Sequence, residues 1–383
     1  MKVGIVAASR TAYGELPRWR PHELTYLAVE EALAKIGLPF RDGYQDIVTC
    51  SSDHWEGMTL TDIRHGEVAG GHLGPGEEKV CDDGANAVLL GCVKILSGQA
   101  DTVLVTACCK ETEVLDPSVI ENFAFDVPFQ QLLGLDFTQA AALQAVQYMD
   151  RTGLLPEDLA RAVIEARRKG KDNADVFCRE EVSEEEVRDS PMLAHPITTL
   201  QRRPFCDGAV ALVLASEDKA LSLSPQPVWV TGLGSCCEAH NLGDRDLSSP
   251  EALRAAAARA YGMAGIRDPA AEIDLAEISD HYAHQFYLWC EGLGLCEDGS
   301  AARRLQAGNF DRQGPLPVNP SGGLLCGVPR YVAGANAVME AFEQLRGEAA
   351  SRSVGKPPRI AVAHGTSGPA GQHHCVIVLE RGF

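Results

Sequence analysis

The sequence predicts a duplicated α/β fold: two similar α/β halves with buried central helices, plus an inserted loop domain. Three observations carry this. Short β-rich runs alternate with helical patterns, which places helices over both faces of a sheet. The succession strand, amphipathic helix, strand occurs twice, before and after the Pro- and Ser-rich stretch Ser222–Pro227. The pentapeptide Gly84-Ala85-Asn86-Ala87-Val88 returns as Gly334-Ala335-Asn336-Ala337-Val338, each time opening an apolar helix.

In the first half Lys2–Ala8 reads as a strand. His22–Ile36 follows as a helix with Leu24, Leu27, Ala28, Ala32 and Leu33 on one side and Gly37 after its end. Asp46–Ser51 is a strand, and Lys79–Cys81 ends a short one. Asp83–Leu96 is a helix apolar nearly all round, which calls for central burial. Asp101–Thr106 and Gly208–Ala215 are strands. Residues 113–195 break the rhythm with helices near Thr138–Met149 and Pro156–Arg168 and the charged stretch Arg179–Arg188, and read as an insertion. In the second half Val228–Gly232 is a strand, Ser249–Gly265 an amphipathic helix, and Leu275–Ser279, Arg359–Ala363 and Val376–Leu379 are strands. The halves divide as 1–221 and 222–383, with two central helices back to back between two sheets.

Length and charge narrow the function. The 383 residues suit two or three domains or one large duplicated fold. The net charge of −19, from 34 Lys+Arg against 53 Asp+Glu, argues against nucleic acid as a partner and disfavours an anionic membrane surface. It leaves room for a small anionic ligand held by local basic residues. The longest apolar run, around Ala209–Ala215, is strand length, so no membrane span is expected. The first residues read as a strand and not a signal peptide. Thirteen scattered cysteines without a CxxC then read as a reduced, cytoplasmic set, neither a disulfide framework nor a zinc ribbon.

Five places could carry chemistry. Cys81 stands where a strand turns into the buried helix, so the helix dipole and free N–H groups favour thiolate and could hold an oxyanion. Asp82 and Asp83 oppose this by raising a thiol pKa, and a small buried apolar role is the plainer reading of position alone. Asn319-Pro320-Ser321-Gly322-Gly323 is a loop whose glycines allow close backbone approach or a tight turn. His364 ends a strand on the glycine-rich run Gly365-Thr366-Ser367-Gly368, placed for proton transfer or for a structural hydrogen bond. His281 and His284 follow the strand Leu275–Ser279, and His54 follows the matching strand of the first half. Ligands gather at carboxyl ends of strands, so His54 and His281 could share a crevice. No third ligand at sensible spacing accompanies His281 and His284, so no metal is expected. The cluster Arg167-Arg168-Lys169 could meet phosphates or simply solvate a helix C-terminus.

In this order the motifs resemble a known family. Cys81, the run Asp207-Gly208-Ala209-Val210-Ala211-Leu212-Val213-Leu214-Ala215-Ser216, Glu277-Ile278-Ser279-Asp280, Asn319-Pro320-Ser321-Gly322-Gly323 and a last glycine loop together look like the thiolases across essentially the whole chain. The nearest branch is the sterol-carrier-protein and archaeal type, which includes the thiolase-like subunit of benzoylsuccinyl-CoA thiolase; some of its members work with a separate zinc-ribbon/OB-fold protein. The resemblance implies a homodimer and acyl transfer on acyl-CoA, with coenzyme A as substrate and no cofactor. It gives Cys81 the acylated-nucleophile position and His364 the reactive position of the last loop. A backbone N–H near Gly365–Ser367 would join that of Cys81 in an oxyanion hole, with Asn319 and Gly323 as further loop candidates.

Two departures matter. The family's Gly-His-Pro is Gly327-Val328-Pro329 here, and Val328 cannot act as the histidine does. The family's Asn-Glu-Ala-Phe or His-Asp-Cys-Phe is replaced by Ser279-Asp280-His281-Tyr282, so His281 or His54 is expected to supply the lost imidazole. The expectation is cleavage of a 3-oxoacyl-CoA with CoA, or the reverse condensation, through a Cys81 thioester. The competing readings are a non-catalytic acyl-CoA-binding subunit and an acyltransferase to a non-CoA acceptor.

Overall fold

The computed structural model describes residues 2–72 and 74–382. Nine strands build one sheet: β1 (Val3–Arg10), β2 (Asp46–Cys50), β3 (Gly76–Val80), β4 (Thr102–Lys110), β5 (Asp207–Ser216), β6 (Val228–Cys237), β7 (Leu275–Ile278), β8 (Ile360–Ser367) and β9 (His373–Arg381). The order across the sheet is β3-β2-β4-β5-β1-β6-β9-β8-β7. It is symmetric about the β1–β6 junction. On one side β2 and β4 run parallel, and β4–β5 and β5–β1 antiparallel. On the other, β7 and β8 run parallel, and β8–β9 and β9–β6 antiparallel. The sequence led us to expect two separate sheets. Instead β1 and β6 pair edge to edge over Val3–Ile5 and Val228–Val230, which makes them one.

The helices that matter for the site are α1 (Pro21–Ala34), α2 (Gly84–Leu96), α3 (Phe137–Thr152), α4 (Pro156–Gly170), α5 (Glu251–Ala264), α6 (Ala283–Gly292) and α7 (Ala333–Arg346). Their ends follow local chemistry. Pro21 and Pro156 open α1 and α4, where a missing N–H costs nothing. Asp136 and Gln139 cap α3 reciprocally. Gly265 and Gly347 end α5 and α7 in the left-handed region.

The repeated pentapeptide has a packing cause. A Cβ on Gly84 would lie 2.6 Å from the Ala335 Cβ, and one on Gly334 would lie 2.7 Å from the Ala85 Cβ. Glycine of each copy thus faces alanine of the other, and the two central helices cross backbone to backbone at the pseudo-twofold axis. A Gly334 side chain would also meet the Asp83 carboxylate at 1.9 Å. Gly334→Ala is therefore expected to destabilise the fold by about 1–3 kcal/mol, read as a lowered thermal midpoint; an unchanged midpoint would show that the crossing can relax.

Residues 113–195 do not form a detached lobe. Leu159 and Val163 of α4 are buried in one cluster with Leu253 of α5 and Tyr287 of α6, so the insertion is clamped onto the second half. No helix among the described residues is long and apolar enough to cross a membrane.

Candidate active site

A cleft of about 270 Å³ opens where β3, β7 and β8 end. Its wall carries Cys81 and Asp82 from the β3 end, Arg202, Arg203 and Phe205 ahead of β5, and His281, Tyr282 and Gln285 after β7. Arg330 and Tyr331 ahead of α7, Ala124 and Phe137 of the insertion, and the 366–373 turn complete it.

Cys81 is exposed on this cleft. It does not hold the helix N-terminus that the sequence suggested. Helix α2 starts at Gly84, and Asp83 is its cap. The Asp83 carboxylate accepts from the Ala85 N–H at 2.8 Å and, across the pseudo-twofold axis, from the Gly334 N–H at 3.1 Å. Burial pushes the Asp83 carboxyl up to about 7. Partial desolvation likewise raises the Cys81 thiol; the Lys79 ammonium opposes this, while Asp53 and Asp62 reinforce it. Asp82 accepts from Asn86 Nδ2 at 2.5 Å, and its other neighbour is His373, whose Nδ1 lies 3.7 Å away.

His281 is brought to the cleft and held there in one tautomer. Arg203 Nε, which can only donate, gives its hydrogen to His281 Nδ1 at 3.0 Å, so the ring proton sits on Nε2, which donates to the Thr366 carbonyl at 3.3 Å. Burial, then the Arg203 and Arg330 charges, hold the ring well below the ordinary histidine pKa. Arg203 is itself fixed by a two-pronged bond to Glu111, at 2.7 and 2.5 Å, and also donates to the Val328 carbonyl at 3.2 Å. Val328 thus contributes only a backbone oxygen here while its side chain joins the core. Arg203→Met should lower stability by about 3 kcal/mol, because it leaves the buried Glu111 short of its main counter-ion, and should free His281 to titrate. A denaturation midpoint and a histidine NMR titration read both; a variant with wild-type stability would show Arg330 compensating fully.

Other sequence candidates lie elsewhere. His364 is not at a strand end: β8 runs on to Ser367 because Gly365, Thr366 and Ser367 pair with Cys375, His374 and His373. Its ring is wholly buried, 3.0 Å from His374 Nδ1 and edge-on to Trp289, and does not line the cleft. Gly365 faces the other way, toward the Asp83 carboxylate; of the pair, only Ser367 reaches the cleft wall. His54 is exposed beside Phe123, outside the cleft lining. His284 bonds Gln144 inside the core, apart from any metal arrangement with His281. Asn319 clamps its loop onto β7, accepting from the Ile278 N–H at 2.7 Å, and Gly323 holds a φ of +67° in that loop. The basic cluster does not reach the cleft. Lys169 is buried on the Phe310 and Val318 carbonyls, Arg168 pairs with Glu165 and Asp311, and Arg167 is buried within α4's packing.

Sequence reasoning missed Glu111, Arg202, Arg203, Arg330 and His373. The signals were present but faint: paired arginines directly before Pro204, an acidic residue directly after β4, and a His-His pair opening the last strand.

The family model described as "Thiolase C-terminal domain-like" matches residues 234–381. An acetyl-CoA acetyltransferase of Methanothermobacter thermautotrophicus is 32% identical over 301 residues, covering 77% of this chain and 78% of its own. The benzoylsuccinyl-CoA thiolase subunit BbsB of Thauera aromatica is 29% identical over 294 residues, 76% of this chain and 75% of its own. Among solved structures, an Ltp2-ChsH2(DUF35) aldolase superposes with a TM-score of 0.85 at 22% identity, over 99% of this chain and 98% of that one. Human mitochondrial 3-ketoacyl-CoA thiolase superposes with 0.72 at 16% identity, over 99% of both. With its sheet, its paired central helices and a relative this similar over three quarters of both chains, the chain belongs to the thiolase family, a family of acyl-CoA acyltransferases.

Proposed function

We propose that the chain cleaves a 3-oxoacyl-CoA with coenzyme A, or runs the reverse condensation, through a thioester on Cys81. The observation that carries this is the exposed Cys81 thiol on a cleft that also holds His281 and His373. In the cleavage direction the thiol loses its proton and attacks the 3-oxo carbonyl. The bond between C2 and C3 then breaks. Its electrons leave as the enolate of the shorter acyl-CoA, which takes a proton, and free CoA collects the acyl group from Cys81. His373, beside Asp82 and open to solvent on one side, is the group placed to move those protons. His281, held neutral with its Nε2–H on the Thr366 carbonyl, serves to orient that wall of the cleft.

The test is a mass spectrum of the protein after mixing with a panel of 3-oxoacyl-CoAs. An acyl mass on the Cys81 peptide that disappears when CoA is added supports the thioester. No adduct with any substrate sinks it. A second reading has its own observation: among the described residues no histidine hydrogen-bonds Cys81, and its thiol is held above its ordinary pKa. A relative 26% identical is named 17-hydroxy-3-oxo-4-pregnene-20-carboxyl-CoA lyase. Under that reading the cleft breaks a carbon–carbon bond without a covalent intermediate, and a Cys81 variant keeps its activity. A homodimer and a small zinc-ribbon/OB-fold partner belong to the proposal as well. Large apolar side chains of the insertion, among them Leu115, Phe129, Leu132 and Leu133, are exposed and available to such a partner. Co-purification and the mass of the native assembly check both.

A further inference from the structure

The charges on the cleft wall do not all have partners. Arg203 is held by Glu111, and Arg330 by Glu111 and Glu121. Asp82 and His373 face each other. Arg202 alone among the described cleft cations has neither an ion pair nor a side-chain hydrogen bond; its guanidinium lies 4.5 Å over the Phe205 ring. It is half-buried. In a chain with a net charge of −19, a carboxylate partner for one arginine is easily supplied. The absence of one at this position leaves the planar donor fork free for a ligand. That fork suits a carboxylate or phosphate, which it can bind through two parallel hydrogen bonds.

Its place in the cleft says which end of a ligand it meets. Arg202 forms a β-bridge with Tyr282, and the next residue's N–H donates to the His281 carbonyl at 2.8 Å. Arg202 is thus tied to the wall that carries His281. Around it stand the rings of Phe205, Tyr282 and Phe137, which offer apolar surface to the body of an acyl chain.

We infer that the preferred substrate is an acyl-CoA whose acyl group carries a carboxylate, and that Arg202 pairs with it. The inference rests on the acyl-CoA reading above and adds the substrate class. The charge makes Arg202 a specificity residue: it discriminates between acyl groups while Cys81 does the chemistry.

The test uses a matched pair, 3-oxoadipyl-CoA and its neutral methyl ester, with wild type, Arg202→Gln and Arg202→Lys. Wild type should favour the carboxylate by about tenfold or more in kcat/KM. Arg202→Gln should collapse that ratio to near one, and Arg202→Lys should restore part of it. Equal losses on both ligands in Arg202→Gln, or no preference in wild type, overturn the proposal. Equilibrium binding of the same pair is measured alongside, so that a chain which turns over neither ligand still reports on Arg202; in that case the acyl-transfer reading fails while the selectivity stands or falls by itself. CoA and 3′-dephospho-CoA form the last arm. If Arg202→Gln weakens CoA but not 3′-dephospho-CoA, the anion is the cofactor-like phosphate and the carboxylate assignment is wrong.

Discussion

Cys81→Ser is expected to lower thiolysis by at least about 10³-fold, equivalent to about 4 kcal/mol of transition-state stabilisation. The reason is specific to this cleft. A serine hydroxyl needs a base in direct contact, and none among the described residues is hydrogen-bonded to position 81; Lys79 is its charged neighbour and can only donate. A thiol tolerates this better, because a few per cent of thiolate is still a strong nucleophile. The raised pKa predicts the companion result: the rate of Cys81 alkylation should climb with a midpoint above the usual ~8.5 of a free thiol. Binding of acyl-CoA to Cys81→Ser should persist, so the loss appears in kcat rather than KM. Full carbon–carbon cleavage by the variant would move the chain to the lyase reading, and the mass-adduct experiment would then stay blank in wild type too.

The frame of this molecule was legible because it rests on local rules. Alternating strands and helices, the proline and glycine punctuation and the repeated pentapeptide all report short-range requirements. The Gly84–Ala335 and Gly334–Ala85 contacts show why the repeat survives in both halves. What the sequence hid depends on register and on distant partners. His364 and Gly365 are neighbours in one strand and point to opposite faces, so a one-residue error in orientation exchanges one set of neighbours for another. Here the imidazole packs on Trp289 and the glycine faces Asp83. The Arg203–Glu111 fork joins positions 92 apart in sequence, and nothing local marks either as a partner of the other. Lys169 looked like a solvated helix end, yet two carbonyls of the 310–318 segment draw its ammonium inward. Cys81 was found because a motif order identified it, whereas the helix-dipole argument attached to it belongs to Asp83.

Stability should peak near pH 6.5, fall gently toward pH 8 and fall more steeply beyond pH 9. Burial raises Asp83 and Asp280 to about 7 and Glu277 to about 8. Each keeps its proton in the folded chain at pH values where the unfolded chain has released it near 4. The folded state then binds more protons, so stability falls as pH rises toward the folded pKa. His284 and His364 are held down to about 3 by burial, and His281 and His374 well below the ordinary value. They act with the opposite sign: the unfolded chain takes up protons below about 6.5 that the folded chain refuses. Between about pH 4 and 6.5 three carboxyls oppose four imidazoles, so slopes of about 1.4 kcal/mol per proton per pH unit largely offset one another and leave a slight net gain as pH rises. From 6.5 to 8 only the carboxyls remain, and their loss sums to about 3 kcal/mol. Beyond that the cysteines decide. Burial raises Cys92, Cys296 and Cys326 to about 12. It also holds Cys50, Cys108, Cys109, Cys206, Cys290 and Cys375 far above the ordinary thiol value. In the unfolded chain all nine ionise near ~8.5, so above pH 9 each of them adds to the loss of stability as pH rises. The thermal midpoint should therefore drop most steeply between about pH 9 and 10. Thermal midpoints in reducing buffer from pH 5 to 10 read the whole curve. A midpoint that stays level from pH 6.5 to 9.5 would mean that these thiols and carboxyls reach water far more readily than their burial implies.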